Sequence, residues 1–315
     1  MWTRGIAWLF PGQGSQSVGM GKDVVASSAA ARRVLERADV ALGEPLSKTI
    51  LEGPEEALTL TANAQPAIVA TSCAILAALR ELVPELPPPL LAAGHSLGEY
   101  SALVAAGALG LEDAIRVVRA RGRAMQKAVP PGTGAMSAVM GVEPRRLAAL
   151  CAEAAGGEVV APANYNAPGQ IVVAGHAGAV ARLGALVASD KGRVIPLKVS
   201  APFHCALMAP AARALEAELA SISIGPPSFP IVANFDAQPN GAAGRVKDLL
   251  VRQVDGAVRW EDTIRFMVGQ GVTHALEIGP GKVLAGLVKR IAKDMNVLSV
   301  GDTASLGEVT RFLAA

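Results

Sequence analysis

Gly94-His95-Ser96-Leu97-Gly98 places a serine between two glycines at the spacing G-x-S-x-G. In a sharp strand-to-helix turn this pattern presents a nucleophilic hydroxyl, with glycines where a Cβ would clash. The flanks have the context that such a turn requires. Residues 90–93 read as a short buried strand and residues 97–108 as a helix. The N-terminus of that helix would aim free N–H groups at the serine and favour an oxyanion there. The competing reading is a chance match in a glycine- and alanine-rich chain.

A serine hydroxyl needs an adjacent base at neutral pH, most often histidine. The chain has four candidates, His95, His176, His204 and His274, and they are scattered. His95 adjoins Ser96, but neighbours on a tight turn point apart, which suits a supporting role. His176 stands at a strand exit and His274 at the start of a late strand, where each also reads as an ordinary core or surface histidine. His204 lies in Ser200-Ala-Pro-Phe-His-Cys205, where the chain leaves an inserted unit and returns to the main body. Position favours His204, and the residues alone leave the other three open.

Residues 112–128 have helical periodicity and hold four arginines. At about 100° per residue, Arg116, Arg119 and Arg123 share one face, whereas Arg121 falls among Ala114, Val117, Val118 and Met125. A guanidinium keeps its proton, and burying it unpaired costs several kcal/mol, so Arg121 must meet an anion. That anion is either an Asp or Glu of the chain or a substrate carboxylate, which the planar fork would grip with two hydrogen bonds. Pro11-Gly12-Gln13-Gly14-Ser15-Gln16 fits neither G-x-G-x-x-G nor a P-loop, which disfavours a nucleotide fold. It reads instead as a loop at the carboxyl edge of a sheet whose N–H groups complete an oxyanion site. Gly279-Pro-Gly-Lys282 reads as a structural turn capping a helix.

These residues need elements to position them. Short apolar runs at 6–10, 90–93, 230–233 and 275–278 alternate with longer helix-like segments, the pattern of a parallel sheet covered on both faces. Within 132–199 the order becomes strand (135–140), helix (144–155), strand (158–163), strand (170–174), helix (177–189), strand (193–199). That βαββαβ order is the ferredoxin-like unit, here inserted in a larger body, and the groove between the two is the expected ligand site. The chain has 315 residues, enough for a substantial core, and at 51% hydrophobic residues it is not a disordered chain. A net charge of +2 and the absence of basic runs interleaved with aromatics exclude nucleic acid as the main partner. Cys73, Cys151 and Cys205 form neither a CxxC pair nor an even disulfide framework, which points to a reducing compartment, and no metal-ligand spacing is present. Residues 57–79 lack charges for longer than the roughly 20 residues that span a bilayer. Their polar content makes them a buried helix starting near Pro66, not a membrane segment.

Taken together, the motifs resemble the malonyl-CoA:acyl carrier protein transacylases of fatty acid synthesis and their polyketide synthase relatives, over nearly the whole chain. They are Phe10-Pro-Gly-Gln-Gly-Ser-Gln16, Gly94-His-Ser-Leu-Gly-Glu-Tyr-Ser-Ala102, Arg119-Ala-Arg-Gly122, Gly132-Thr-Gly-Ala-Met136, Asn164-Tyr-Asn-Ala-Pro-Gly-Gln170, Pro202-Phe-His-Cys-Ala-Leu-Met208 and Glu277-Ile-Gly-Pro-Gly281. The resemblance implies Ser96 as nucleophile, His204 as base, Arg121 as the malonyl carboxylate clamp, and the N–H groups of Gln13 and Leu97 as the oxyanion hole. It also implies that Gln253 supports the histidine through its main-chain carbonyl and that no acidic third triad member exists. The implied fold is α/β, with an α/β-hydrolase-like large subdomain (1–131 and 200–315) and a ferredoxin-like small subdomain (132–199). The implied activity is ping-pong malonyl transfer from malonyl-CoA to an acyl carrier protein in the cytoplasm, without cofactor, metal, nucleic acid or membrane. Phe203 departs from the serine that many fatty-acid members carry; in the polyketide relatives phenylalanine there accompanies malonyl. A discrete trans-acting polyketide synthase acyltransferase is therefore the alternative, followed by a serine thioesterase or esterase and by a silent carrier-binding domain. Carrier proteins are typically acidic, so Lys191, Arg193 and Arg213 are candidates for a docking patch, each also readable as an ordinary solvated residue.

Overall fold

In the computed structural model, which describes residues 5–197, 199 and 201–314, the first strand is Gly5–Phe10 (β1). Its side chains alternate between two cores: Ile6, Trp8 and Phe10 enter one, Ala7 and Leu9 the other. A strand apolar on both faces belongs inside a sheet covered on both sides. The remaining strands are Leu91–Gly94 (β2), Gly134–Met140 (β3), Val160–Ala167 (β4), Gln170–His176 (β5), Arg193–Pro196 (β6), Ile231–Val232 (β7), Pro239–Asn240 (β8), Val272–Ile278 (β9) and Asn296–Val300 (β10). The larger sheet has the order β10-β9-β1-β2-β7-β8 and is parallel except for the β7–β8 pair. β1 and β2 run in register from Ala7↔Leu91 to Phe10↔Gly94, so the loops that follow them emerge side by side. The chain steps from β1 to β2 on one flank and later adds β9 on the other. The strand order thus reverses at β1, where open α/β sheets bind ligands beyond the carboxyl ends of their strands.

The smaller sheet, β4-β5-β3-β6, is antiparallel and is covered by the helices Pro144–Ala155 and Ala177–Ser189, whose bounds match the sequence reading. Its own core includes Val139, Leu147, Leu150, Val173 and Leu183. The strand expected at 158–163 is displaced to Val160–Ala167, and the one expected at 193–199 ends at Pro196. Lys198 of that expected strand, Ser200 at the expected boundary, and the terminal residues 1–4 and 315 lie outside the described residues.

The charge-poor stretch forms the helix Thr61–Leu82, with 83% of its most apolar window buried inside the protein. It begins five residues before Pro66, correcting the expected start. Pro66 occupies the second turn, where its ring removes one helical N–H donor. This helix packs against Leu111–Lys127, and the contact is close: a Cβ on Gly122 would lie 2.7 Å from the Thr61 carbonyl oxygen. Side-chain identity is equally constrained at the turn after β2. A Cβ on Gly94 would sit 1.9 Å from the Gly98 carbonyl carbon, and one on Gly98 would sit 2.3 Å from the Phe10 oxygen. Backbone occupies both spaces, so no rotamer change relieves either clash. Gly94→Ala should therefore destabilise the fold by at least about 3 kcal/mol, the upper range for overpacking. Denaturant unfolding measures this, and a loss below about 1 kcal/mol would show that the turn can open.

Candidate active site

The turn after β2 places Ser96 at φ 51°, in the left-handed region where non-glycine residues are strained, at the entrance of the helix Gly98–Ala105. The side chain of Asn234, just beyond β7, braces it from both sides. Asn234 Oδ1 accepts from the Ser96 N–H (2.7 Å) and Nδ2 donates to the Gly94 carbonyl (2.6 Å). With the Ser96 N–H thus engaged, two nearby N–H groups are those of Leu97, at the helix entrance, and Gln13, after β1. Among the described residues neither meets a hydrogen-bond acceptor. The Gln13 loop is drawn in tightly, since a Cβ on Gly12 would lie 2.4 Å from the His95 oxygen.

Of the four histidines, His204 reaches the serine. It is buried, itself at φ 59°, with Nε2 2.8 Å from Ser96 Oγ and Nδ1 2.8 Å from the Gln253 carbonyl oxygen. A carbonyl can only accept, so Nδ1 carries the proton and Nε2 is free to accept from the serine hydroxyl. Gln253 lies in the last turn of the helix Ala243–Asp255, where carbonyls lack helical donors, which frees this one for the imidazole. Burial, then the nearby Arg121 cation, pushes the His204 pKa down to about 3, against the opposing pull of the Gln253 carbonyl. His95 instead bonds Asn166 Oδ1 of β4 (2.9 Å) and packs at a tilt against the Trp260 ring, tying the turn to the smaller sheet. His176 accepts from the Val159 N–H at the start of a helix, and His274 packs against Phe312.

Arg121 is 1% exposed, as its angular position in the helix implied. It donates to Gln65 Oε1 (2.8 Å), Gln253 Oε1 (2.9 Å) and Ser96 Oγ (3.1 Å), and lies over the Tyr100 ring at 5.9 Å. Among the described residues it forms no ion pair, and its Nε is buried without a partner. Arg119, which shares a face with Arg116 and Arg123, is also buried and is held by Glu44 and Asn63. Phe203 is buried beside His204, with its N–H toward Met136 Sδ (3.3 Å). The three cysteines are buried and free, their thiol pKa values raised by burial. Lys191, Arg193 and Arg213 are exposed. Gly279 serves packing, because a Cβ there would strike Ser72 and Pro11. Asn234 and Gln65 stand in none of the motifs, and Glu99, inside the motif at 94–102, was given no role there. For Asn234 the one available signal was a polar residue at the carboxyl end of a strand-like run.

A serine on a strained turn at the carboxyl edge of a parallel sheet, bonded to a buried imidazole, is an arrangement suited to forming and passing on an acyl ester. The chain matches the acyl transferase domain family over residues 7–311 and belongs to it; it is an acyltransferase. A malonyl CoA-acyl carrier protein transacylase of Salmonella typhimurium is 45% identical over 302 residues, 96% of this chain and 97% of that protein. The crystal structure of an acyl carrier protein S-malonyltransferase from Vibrio cholerae O1 superposes with TM-score 0.94 at 45% identity, covering 97% of this chain and 99% of that one. A type II PKS acyl-carrier protein in complex with its malonyl-transacylase contains a chain with TM-score 0.94 and 44% identity, covering 97% of this chain and 99% of that one.

The lowered His204 pKa has two consequences. The imidazole should stay neutral from pH 8 to pH 5, as measured by its NMR resonances assigned against His204→Ala; a titration midpoint near 6.5 would contradict the geometry. Its folded pKa lies below the ordinary 6.5, so its contribution to stability is complete above about pH 6.5 and is lost as pH falls from there toward about 3.

Proposed function

We propose that the protein transfers the malonyl group of malonyl-CoA to the phosphopantetheine thiol of an acyl carrier protein through an ester on Ser96. The observation that carries this reading is a buried guanidinium with no acid partner among the described residues, 3.1 Å from the nucleophile. In the first half-reaction His204 Nε2 takes the Ser96 proton as Oγ attacks the thioester carbonyl. The N–H groups of Gln13 and Leu97 hold the oxyanion. Collapse expels the coenzyme A thiolate, which recovers the proton from His204. In the second half-reaction the carrier thiol gives its proton to His204 and attacks the malonyl ester; Ser96 leaves as an alkoxide and is reprotonated. Arg121 grips the malonyl carboxylate, and Gln253 holds the tautomer of His204 through its carbonyl.

His204 is returned to its neutral form at the end of each half-reaction, so the cycle as drawn calls on no resident cofactor or metal, and malonyl-CoA is a substrate. Phe203 is assigned discrimination against a methyl branch beside the carboxylate. The names of the similar proteins support malonyl as the acyl group and an acyl carrier protein as the acceptor. The same names favour a carrier thiol over water as acceptor, against the esterase reading. The complex with a type II PKS carrier favours a second setting for the same chemistry, a discrete trans-acting polyketide synthase acyltransferase. In this reading the protein is cytoplasmic and partners neither nucleic acid nor membrane, and an acidic carrier docks near exposed cations such as Lys191, Arg193 and Arg213. The larger body is α/β-hydrolase-like, made of 1–131 and 200–315. The unit at 132–199 is ferredoxin-like, supported by its βαββαβ connectivity and the sheet order β4-β5-β3-β6.

Intact-mass measurement after incubation with malonyl-CoA should show a malonyl adduct on the wild type and none on Ser96→Ala; an undiminished adduct on the variant would overturn the assignment. A charge-assisted contact contributes about 1.5–3 kcal/mol. Arg121→Ala should accordingly lower malonyl transfer about 10- to 100-fold more than acetyl transfer. Equal losses for the two acyl groups would remove Arg121 from the carboxylate.

A further inference from the structure

Glu99, in the first turn of the helix Gly98–Ala105, is buried directly behind the nucleophile and takes no part in the cycle above. One of its oxygens, Oε2, accepts from the Asn234 main-chain N–H (3.0 Å) and from Gln253 Nε2 (2.8 Å). Gln253 Nε2 also donates to the Ser96 carbonyl (3.1 Å), while Gln253 Oε1 accepts from Arg121 (2.9 Å). The Gln253 amide is thereby oriented from both ends. Arg121 can only donate and so requires the amide oxygen; Glu99 Oε2 requires the amide nitrogen. The same residue offers its main-chain carbonyl to His204. A carboxylate, an amide and a guanidinium thus form one buried chain that ends on the group facing the serine.

We infer that Glu99 is a positioning residue which, through the side-chain amide of Gln253, fixes the direction of the Arg121 fork and so sets the preference for a carboxylate-bearing acyl group. This rests on the malonyl-transfer reading and extends it to a residue that never touches substrate. The neighbours decide the geometry. Gln65 holds the other terminal nitrogen of Arg121, so loss of the Gln253 contact leaves the second nitrogen only the longer bond to Ser96 Oγ, the atom that becomes the ester oxygen on acylation. Burial raises the Glu99 pKa to about 7, with the Asn234 N–H, the Gln253 amide and the Arg121 charge opposing it. The carboxyl is consequently sensitive to what its partners do, and a neutral acceptor of the same shape should serve in its place.

The test compares Ser96 acylation rates with malonyl-CoA and acetyl-CoA in the wild type and in Glu99→Met, Glu99→Gln and Gln253→Met, by rapid quench and intact mass. Glu99→Met removes the acceptor without opening a large cavity. It should lower the malonyl-to-acetyl rate ratio about tenfold while the final extent of acylation stays unchanged. Glu99→Gln keeps an acceptor oxygen and should restore the ratio to within about threefold of wild type. Gln253→Met keeps the carbonyl for His204 but cuts the chain at its middle, and it should reproduce the loss of ratio even where Glu99→Met fails to fold. A wild-type ratio in both methionine variants would overturn the inference, as would a fall in adduct yield that is equal for both acyl groups. Absence of any malonyl adduct on the wild type would instead defeat the malonyl-transfer reading, which separates the two failures.

Discussion

A guanidinium removed from water needs an anion, and among the described residues Arg121 makes no ion pair, the buried Glu99 being linked to it through the Gln253 amide. Neutral dipoles hold it: the oxygens of Gln65 and Gln253, the hydroxyl of Ser96 and the face of Tyr100. Each partner stabilises the cation partially, and none satisfies it as a carboxylate would. The fold is shaped around this incomplete site. Gly122 lets the helix bearing Arg121 press against Thr61–Leu82, which brings Gln65 within reach, while the last turn of Ala243–Asp255 supplies Gln253 from the opposite side.

The cation also organises the chemistry of its neighbours. Its charge adds to burial in keeping His204 neutral and able to accept a proton, while the helix-end carbonyl of Gln253 holds Nδ1. A fully ionised acid at that position would raise the imidazole pKa and compete for Arg121. The nearest acid, Glu99, is separated from the cation by the Gln253 amide. In the proposed function, specificity and base strength therefore depend on the same small set of buried contacts.

What the sequence revealed follows from how local each feature is. The turn at Ser96 is set by residues 94–98, and the buried face of Arg121 by neighbours within its own helix, so both were legible from spacing. The helices 144–155 and 177–189 were legible for the same reason, having clear periodicity and clear ends. The choice of His204 among four histidines depended on family resemblance, because its partner lies 108 residues away. Asn234 was missed entirely, and Glu99, though inside the motif at 94–102, was given no role. Each is a single polar residue whose role exists only once strands and helices distant in sequence are brought together, Asn234 bonding a residue 138 positions away. Pro66 misled in the opposite direction: a residue favoured in a first turn stands in the second, and the helix starts earlier at Thr61. Arg119 shows the limit of angular reasoning, since a residue on the polar face of its helix is buried once Glu44 and Asn63 cover it.

The central claim is that Arg121 is held for a carboxylate on an acyl group attached to Ser96. The most direct measurement is a crystal structure of the enzyme trapped as its malonyl ester. The account predicts the distal carboxylate within hydrogen-bond distance of two Arg121 nitrogens, with the acyl oxygen directed at the N–H groups of Gln13 and Leu97. A carboxylate turned toward solvent, with Arg121 still bonded only to Gln65 and Gln253, would contradict it.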